Sequence, residues 1–203
     1  MNQELIVLAS ASPRRRALLR QINVAHDVHP AHVDESPMPG ESPSGFARRI
    51  AFSKADFVHR ELDGADGRIV LAADTAVVLE QELFGKPADA ATAAAMLKRL
   101  SGCVHEVVTA VAALRDDARC SAISSSRVSF RELDEAEIDN YVSSGEPMGK
   151  AGAYAIQGYA ALFIDRLEGS YSGVMGLPLF ETGRLIEGLG GRLRPAPGSA
   201  TGE

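Results

Sequence analysis

The stretch that most constrains the fold is LIVLASASPRRRALL, residues 5–19. Its first five residues form an apolar run that is typical of a buried strand, and small residues then form a tight turn. Pro13 suits the first position of a helix, and Ser12 before it is a preferred N-cap residue. The pattern predicts a strand, a turn and a helix of an α/β domain, with the free amides of the helix at the end of the strand.

Three arginines, Arg14, Arg15 and Arg16, follow within the first turn of this predicted helix. Cations at a helix N-terminus oppose the helix dipole unless an anion lies nearby. The hydroxyls of Ser10 and Ser12 add polar groups at the same place. The stretch is compatible with an ordinary capped helix carrying solvated arginines, or with a phosphate site.

The overall charge narrows the ligands that such a site can bind. The net charge is −6 and the sequence pI is about 5.4, which argues against nonspecific binding to DNA or RNA. A small polyanion fits better than a nucleic acid polymer. No apolar stretch approaches the roughly 20 residues of a membrane span, and the N-terminus lacks the form of a signal peptide, so we expect no membrane partner and a cytoplasmic location.

The chain length favours one α/β domain over residues 1–190, followed by a Gly- and Pro-rich tail, residues 191–203, that we expect to be disordered. Cys103 and Cys120 are predicted on opposite arms of one β-hairpin. Their expected separation along the arms is about 30 Å, too far for a disulfide.

An aspartate interrupts the second informative stretch, RIVLAADTAVVLEQELFGKP. Residues 69–73 and 76–79 indicate one buried strand, except that Asp74 and Thr75 lie between them. A buried carboxylate without a partner costs several kcal/mol, so Asp74 needs a cation, a metal, water or a cleft at that point. The alternative is an Asx-turn between two strands.

Further polar residues occur where predicted strands or apolar helix faces end. Lys54 falls on the apolar face of a helix predicted over residues 44–62, and Lys86 follows a hairpin that returns it toward Asp74. Glu35 lies in a Pro-rich loop and Gln157 beside a glycine between apolar runs; each has a common structural explanation as a solvated or turn residue. Together, four cations and two carboxylates suit a nucleoside triphosphate with a divalent metal, Mg²⁺ or Mn²⁺, because strand ends bind ligands in open α/β sheets.

Hydrophobic periodicity predicts the remaining elements. We expect helices over residues 89–100, 134–143 and 178–189, an antiparallel pair of strands over 104–114 and 120–130, and a buried strand over 160–167. His105 and Thr109 are expected on the same face of the first long strand.

At this point the sequence resembles the Maf family of nucleotide pyrophosphatases over nearly its whole length. The motifs that carry the resemblance, in order, are SASPRR, Glu35, RIAFSKA, ADTAVVL, GKP, LSGCVHEVVTAV, GEPMGKAGAYAIQG and GSYSGVMGLPL. The resemblance implies a mixed α/β sheet with flanking helices, elongated and arranged as two lobes around a central cleft, as in Maf and ITPase-like proteins. It also implies hydrolysis of a nucleoside triphosphate to the monophosphate and pyrophosphate with a divalent cation, and a homodimer.

The family's site residues map onto this sequence. Asp74 matches the proton acceptor that activates water, and Glu35 matches a second carboxylate; both are candidate metal ligands, and the sequence leaves open which binds the metal. Ser10, Arg14, Lys54 and Lys86 match polar residues that would hold the triphosphate and offset charge on the leaving pyrophosphate.

The subgroup that prefers dTTP and UTP resembles this chain at Arg15, Thr75 and Gln157. The Gln157 amide can pair with N3–H and O4 of a pyrimidine, although a flipped amide would also accept cytosine. Ala155 departs from the glycine that is common in the family. The alternatives are a nucleotide-binding regulator of septum formation and the 7-methyl-GTP subgroup.

Overall fold

A mixed seven-stranded sheet forms the centre of the protein in the computed structural model, which describes residues 6–195. The strand order is β2-β1-β3-β5-β6-β7, with β4 on the edge of β3. β1 is parallel to β2 and β3, and all other pairs are antiparallel. The strands are β1 Ile6–Leu8, β2 His26–Val28, β3 Val70–Leu79, β4 Glu82–Phe84, β5 Val104–Arg115, β6 Ala118–Phe130 and β7 Ile164–Glu168.

Helices cover both faces of this sheet. α2 packs on one face through buried small and aliphatic residues, and α1 and α6 pack on the other. The near-continuous apolar sequence of β3 follows from this double cover, because a strand buried on both faces has no solvent side. The helices are α1 Pro13–Gln21, α2 Pro43–Glu61, α3 Ala90–Leu100, α4 Glu135–Ser143, α5 Tyr171–Met175 and α6 Leu179–Gly188.

The core is divided into two lobes that share the long strands. Val70 and Leu71 at the start of β3 belong to the clusters under α1, α2 and α6. Val77 and Leu79 at its end belong to a separate cluster with α3 and α4. The predicted mixed α/β sheet with two lobes is therefore confirmed, and a cleft lies where the lobes meet.

The edge of β3 has a gap at this cleft. β1 pairs with β3 only at Val70 and Leu71, and β4 pairs with it only from Val77 to Leu79. Between these partners, residues 72–76 are paired with β5 on one side only, within the described part of the chain. Side chains on both faces of β3 therefore reach the same opening.

One local prediction was wrong, and one short helix was missed. Residues 160–163 form part of a 3₁₀-helix, Tyr159–Phe163, and only the following residues form β7, which is mostly half-buried because it lies at the sheet edge. The short helix α5 was not predicted. Within the predicted tail 191–203, Leu193 packs against the core under α6; residues 196–203 lie outside the described residues.

The long hairpin of β5 and β6 is confirmed, and both cysteines are free thiols. Cys120 pairs with Ala113 near the turn, whereas Cys103 lies beside Phe130 at the far end. Among the helices of residues 6–195, none is long and apolar enough to cross a membrane.

Candidate active site

A cavity of about 450 Å³ opens at the gap in the edge of β3. Its walls come from both lobes and from the loop between β2 and α2. All nine site residues predicted from the sequence line it: Ser10, Arg14, Arg15, Glu35, Lys54, Asp74, Thr75, Lys86 and Gln157. Tertiary structure therefore brings together residues that are up to 147 positions apart in the chain.

On the α2 face of the sheet, two carboxylates and two lysines form a chain of ion pairs that we call the ion-pair side. Lys54 Nζ lies 2.7 Å from Asp74 Oδ1 and 2.7 Å from Glu35 Oε1, and Lys86 Nζ lies 3.0 Å from Glu35 Oε2. Lys54 and Asp74 are each only 7% exposed. Each buried charge thus has an opposite charge in contact, which offsets the cost of removing it from water.

Glu35 is held by the loop that precedes α2. Arg49 on α2 donates hydrogen bonds to the carboxylate of Glu41 and to the carbonyl of Ser36, which ties this loop to the helix. Partial burial by itself would raise the pKa of Glu35, but the hydrogen bonds and charges of Lys54 and Lys86 outweigh it and lower the pKa below its ordinary value. The carboxylate therefore stays ionised at neutral pH.

Asp74 lies in the middle of β3, paired with Ala110 of β5, and neither at a strand end nor in an Asx-turn. The buried strand continues through Asp74 and Thr75, so the Asx-turn alternative was wrong. The residues reach the cavity because the strand lacks an edge partner at this point. Asp74 projects to the α2 face, and Thr75, its neighbour, projects to the α1 face, since side chains alternate along a strand.

The α1 face is centred on Arg15, which is half-buried and bonded to groups of the protein. Its Nε donates to the carbonyl of Gly176 at 2.7 Å, and its terminal nitrogens donate to Ser10 Oγ at 3.1 Å and to Thr75 Oγ1 at 3.4 Å. Burial lowers the pKa of Arg15 from its ordinary value, while Asp74 acts to raise it. Gly176 has φ +113°, and a Cβ there would lie 3.4 Å from Thr75 Oγ1, so glycine allows this close approach.

Ser10 presents a hydrogen-bond donor to the cavity. Its Oγ accepts from the backbone N–H of Ser12 at 3.3 Å and from Arg15 at 3.1 Å. Both lone pairs are thus occupied, which leaves the hydroxyl proton for a ligand oxygen. The predicted capping role of Ser12 was wrong: Ser12 occupies the N-cap position, but its side chain makes no capping hydrogen bond.

Arg14 and Lys150 are two further cations on this face, and with Arg15 they form what we call the arginine side. Arg14 Nε donates to the carbonyl of Met175 at 3.4 Å, and Lys150 Nζ donates to the carbonyls of Glu146 and Met148. Burial, and then the charge of Arg14, lower the pKa of Lys150. No carboxylate forms an ion pair with any of these three cations among the described residues.

Sequence reasoning missed Lys150 and Tyr154 as cavity residues. Both lie in the motif GEPMGKAGAYAIQG, which carried the resemblance without giving them a role. The loop of residues 149–153 lies close to β3, since a Cβ on Gly152 would lie 2.9 Å from Val77.

Tyr154 Oη lies 2.8 Å from His105 Nε2, and burial lowers the pKa of His105 to about 4, so this histidine is neutral at pH 7.

Gln157 lies at the exposed end of the cavity. Its side-chain amide takes part in none of the hydrogen bonds among residues 6–195, so it is not the satisfied turn amide of the structural alternative. A ligand in the cavity can therefore use both its carbonyl and its amide group.

Two carboxylates of the cavity are candidate ligands for a divalent metal. Glu35 and Asp74 oxygens contact the same ammonium nitrogen at 2.7 Å each, so the two carboxylates converge on one point. Hard oxygen ligands suit Mg²⁺ or Mn²⁺, which also bind waters and phosphates. No cluster of three or more His, Cys, Asp or Glu residues with metal-binding geometry occurs in the described part of the chain. The residues present thus fit a metal that takes its remaining ligands from substrate and water.

Comparisons with known proteins point to one family. The profile of the family described as Maf-like protein matches residues 5–189. A protein of Aromatoleum aromaticum named dTTP/UTP pyrophosphatase is 51% identical over 200 residues, covering 93% of this chain and 97% of its own. Proteins of the same name from Anaeromyxobacter sp. (50% identical; 97% and 94% covered) and Cupriavidus pinatubonensis (49%; 90% and 96%) are similarly close.

Proposed function

Since this chain belongs to the Maf family, we propose that it hydrolyses dTTP and UTP to the nucleoside monophosphate and pyrophosphate. The observation that carries the proposal is the charge of the cavity. Five cations and two carboxylates line it, a formal charge of +3, although the whole chain carries −6. A local excess of positive charge in an acidic protein favours a small polyanion, and the names of the relatives identify that polyanion as a pyrimidine triphosphate.

Asp74 is the proposed general base. Lys54 fixes its carboxylate at Oδ1, and Oδ2, for which the described residues provide no hydrogen bond, is left to accept a proton from the attacking water. Attack on the α-phosphorus breaks the bond to the β-phosphoryl oxygen and releases pyrophosphate. Lys54 and Lys86 then lie where they can offset the charge that develops on the leaving group.

Ser10, Arg14 and Lys150 are proposed to bind the triphosphate from the other face of the sheet. Ser10 supplies a hydroxyl proton, and the two cations lack carboxylate partners in the described part of the chain, so phosphate oxygens would satisfy all three. Arg15 has its Nε and both terminal nitrogens bonded to protein groups. Three of its five N–H groups are thus used, so we assign it to positioning Ser10 and Thr75, and its two remaining N–H groups can donate to the substrate.

A divalent metal, Mg²⁺ or Mn²⁺, is proposed to bind Glu35 and Asp74 together with substrate phosphates, where it would neutralise phosphate charge. The chelator EDTA should abolish turnover, and added Mg²⁺ or Mn²⁺ should restore it. Glu35→Gln should raise the metal concentration that gives half-maximal activity. Full turnover in EDTA would contradict metal dependence while leaving the substrate assignment intact.

Gln157 is the proposed reader of the base, with its carbonyl accepting from N3–H and its amide donating to O4 of uracil or thymine. The methyl group that separates these bases is worth only about 1–3 kcal/mol in a pocket, so both should be substrates. Gln157→Glu should weaken UTP binding, because it places an acceptor opposite O4. Unchanged UTP kinetics in that variant would contradict this account of base recognition.

The reaction is tested by pyrophosphate release from dTTP, UTP, CTP, ATP, GTP and 7-methyl-GTP, with Mg²⁺ or Mn²⁺. We expect turnover mainly of dTTP and UTP. Turnover confined to 7-methyl-GTP would assign the other subgroup, and no turnover would favour a nucleotide-binding regulator. The homodimer implied by the family resemblance stays a prediction, to be checked by light scattering.

A further inference from the structure

Thr109 is a fully buried hydroxyl behind the cavity wall. It lies on β5 opposite Thr75 of β3, and its Oγ1 is 2.9 Å from Thr75 Oγ1 and 2.8 Å from the carbonyl oxygen of Gly173. Gly173 belongs to α5, whose end also lines the cavity through Val174 and Met175. Thr109 thus connects the central strands to the helix beside the site.

The chemistry of these contacts fixes the direction of the hydrogen bonds. A carbonyl oxygen can only accept, so the one proton of Thr109 is donated to Gly173. Thr109 can then only accept from Thr75, and the proton of Thr75 is donated to Thr109. The contact between Arg15 and Thr75 is consistent with these directions. The Arg15 guanidinium can only donate, so it donates to Thr75 Oγ1.

Thr75 consequently has no proton for a ligand. Its Oγ1 donates once and accepts once from Arg15, which leaves one lone pair, and Thr75 lines the cavity at half-buried exposure. The Ser10 hydroxyl has the opposite hydrogen-bonding role. Arg15 and Ser12 donate to both of its lone pairs, so its proton is left to be donated to a ligand. The α1 face therefore offers a donor at Ser10 and an acceptor at Thr75.

We propose that Thr109 is a positioning residue for substrate choice, which fixes Thr75 Oγ1 as an acceptor for a hydrogen-bond donor of the nucleotide. This inference rests on the proposed function and names a residue that acts through Thr75. In a pyrimidine nucleotide the donors available are the sugar hydroxyls and, where Gln157 does not take it, the ring N3–H, which uracil and thymine have and cytosine lacks. Without Thr109, the Thr75 hydroxyl can rotate and donate, so the preference for that donor falls.

The test is Thr109→Val, which keeps the shape of the side chain and removes its hydroxyl. Two ratios of kcat/KM are measured: UTP against CTP, which reports N3–H, and dTTP against 2′,3′-dideoxythymidine triphosphate, which reports the sugar 3′-hydroxyl. We expect one of the two ratios to fall about threefold to tenfold, the range of one ordinary hydrogen bond. Two unchanged ratios in a folded variant would overturn the proposal.

Three further variants separate positioning from stability. Thr109→Ser keeps the hydroxyl and should keep the ratio, even if the smaller side chain lowers the melting temperature. In a Thr75→Val background, Thr109→Val should have no further effect on the ratio, because the two residues act in series. Thr182→Val is the matched control, since Thr182 is fully buried on α6 and its hydroxyl has no hydrogen-bond partner among residues 6–195.

Failure of the proposed function is recognised separately. If the wild-type protein hydrolyses none of the triphosphates, calorimetric affinities for UMP, CMP, dTMP and 2′,3′-dideoxythymidine monophosphate replace kcat/KM in the two ratios. A fall in either affinity ratio in Thr109→Val would then support the positioning of Thr75 by Thr109 even though the protein does not catalyse the reaction. Unchanged affinity ratios would contradict this positioning role and leave the proposed function to be judged by the turnover assay.

Discussion

The two faces of β3 at the cavity treat positive charge differently. On the ion-pair side, Lys54 and Lys86 each contact a carboxylate within 3.0 Å. On the arginine side, Arg14 and Lys150 contact backbone carbonyls, and the larger charge effect on the pKa of Lys150 is the lowering by Arg14, which Glu146 opposes. The lysines of the ion-pair side are neutralised by carboxylates without a ligand. The cations of the arginine side are neutralised only when an anion binds.

This difference suggests that one face serves the chemical step and the other serves substrate binding. A balanced set of carboxylates and lysines keeps a base in place and presents oxygens to metal and water, so it suits the chemical step. Uncompensated cations attract and hold phosphate, so they suit binding. Variants on the two faces should therefore separate into those that reduce kcat and those that raise KM.

The largest effect is expected on the ion-pair side, from Asp74→Asn. Removal of a general base costs about 10²–10⁴ in rate, so kcat should fall by about a factor of 10³ while KM changes little. Lys54 keeps Glu35 as a partner in this variant, so the fold should persist. Steady-state kinetics with dTTP provide the measurement.

Asp56→Asn is the control for this loss, because Asp56 lies on the same helix as Lys54 but pairs with Arg119 outside the cavity. Retention of most of the wild-type kcat in Asp74→Asn would contradict the assignment of the chemical step to the ion-pair side through Asp74. Another group would then have to act as the base.

On the arginine side, Lys150→Gln should raise the KM for dTTP about tenfold and leave kcat within about twofold, as expected for one lost charged hydrogen bond. Inhibition by pyrophosphate should weaken by a similar factor. Lys98→Gln is the matched control, since Lys98 pairs with Glu135 away from the cavity. A lower melting temperature with unchanged KM would show that Lys150 only holds the loop of residues 145–150.

The smallest effect is a shift in pH dependence on the ion-pair side. Lys86 is one of the two cations that lower the pKa of Glu35, so Lys86→Met should raise that pKa toward its ordinary value. A carboxylate with a lowered pKa stays charged as the pH falls; with the cation removed, it protonates at a higher pH. The acid limb of the kcat/KM profile should therefore move to higher pH by less than about one unit.

Lys86→Arg is the control, because it keeps the charge beside Glu35 and should leave the acid limb in place. An unmoved limb in Lys86→Met would show that Glu35 does not need to be ionised for activity.

Much of this site was predictable from local patterns. The buried run of residues 5–9, the proline after it and the paired long strands predicted β1, α1 and the β5–β6 hairpin, because each pattern reflects interactions between residues close in sequence. Lys54 was predictable as a buried cation since it falls on the apolar face of α2. The resemblance added Glu35, which no local pattern separates from a solvated loop residue.

Other features could not be predicted because they depend on contacts between distant segments. Lys150 gains its role only when residues 149–153 pack against β3, and the hydroxyl direction of Thr75 is set by Thr109 and Gly173, which lie 34 and 98 positions farther along the chain. The strand of residues 160–167 was predicted from apolar content, which does not distinguish a 3₁₀-helix packed on a core from a strand.

The sequence alone determined which groups are available: the apolar strands, the helix starts, two carboxylates and their lysines, each specified by local periodicity and residue chemistry. The tertiary structure decided that Asp74 and Thr75, on opposite faces of one uninterrupted strand, share a cavity. The physical reason is the gap between β1 and β4 on the edge of β3, which exists because both partners are short. Strand pairing between distant segments creates that gap, and no window of the sequence contains it.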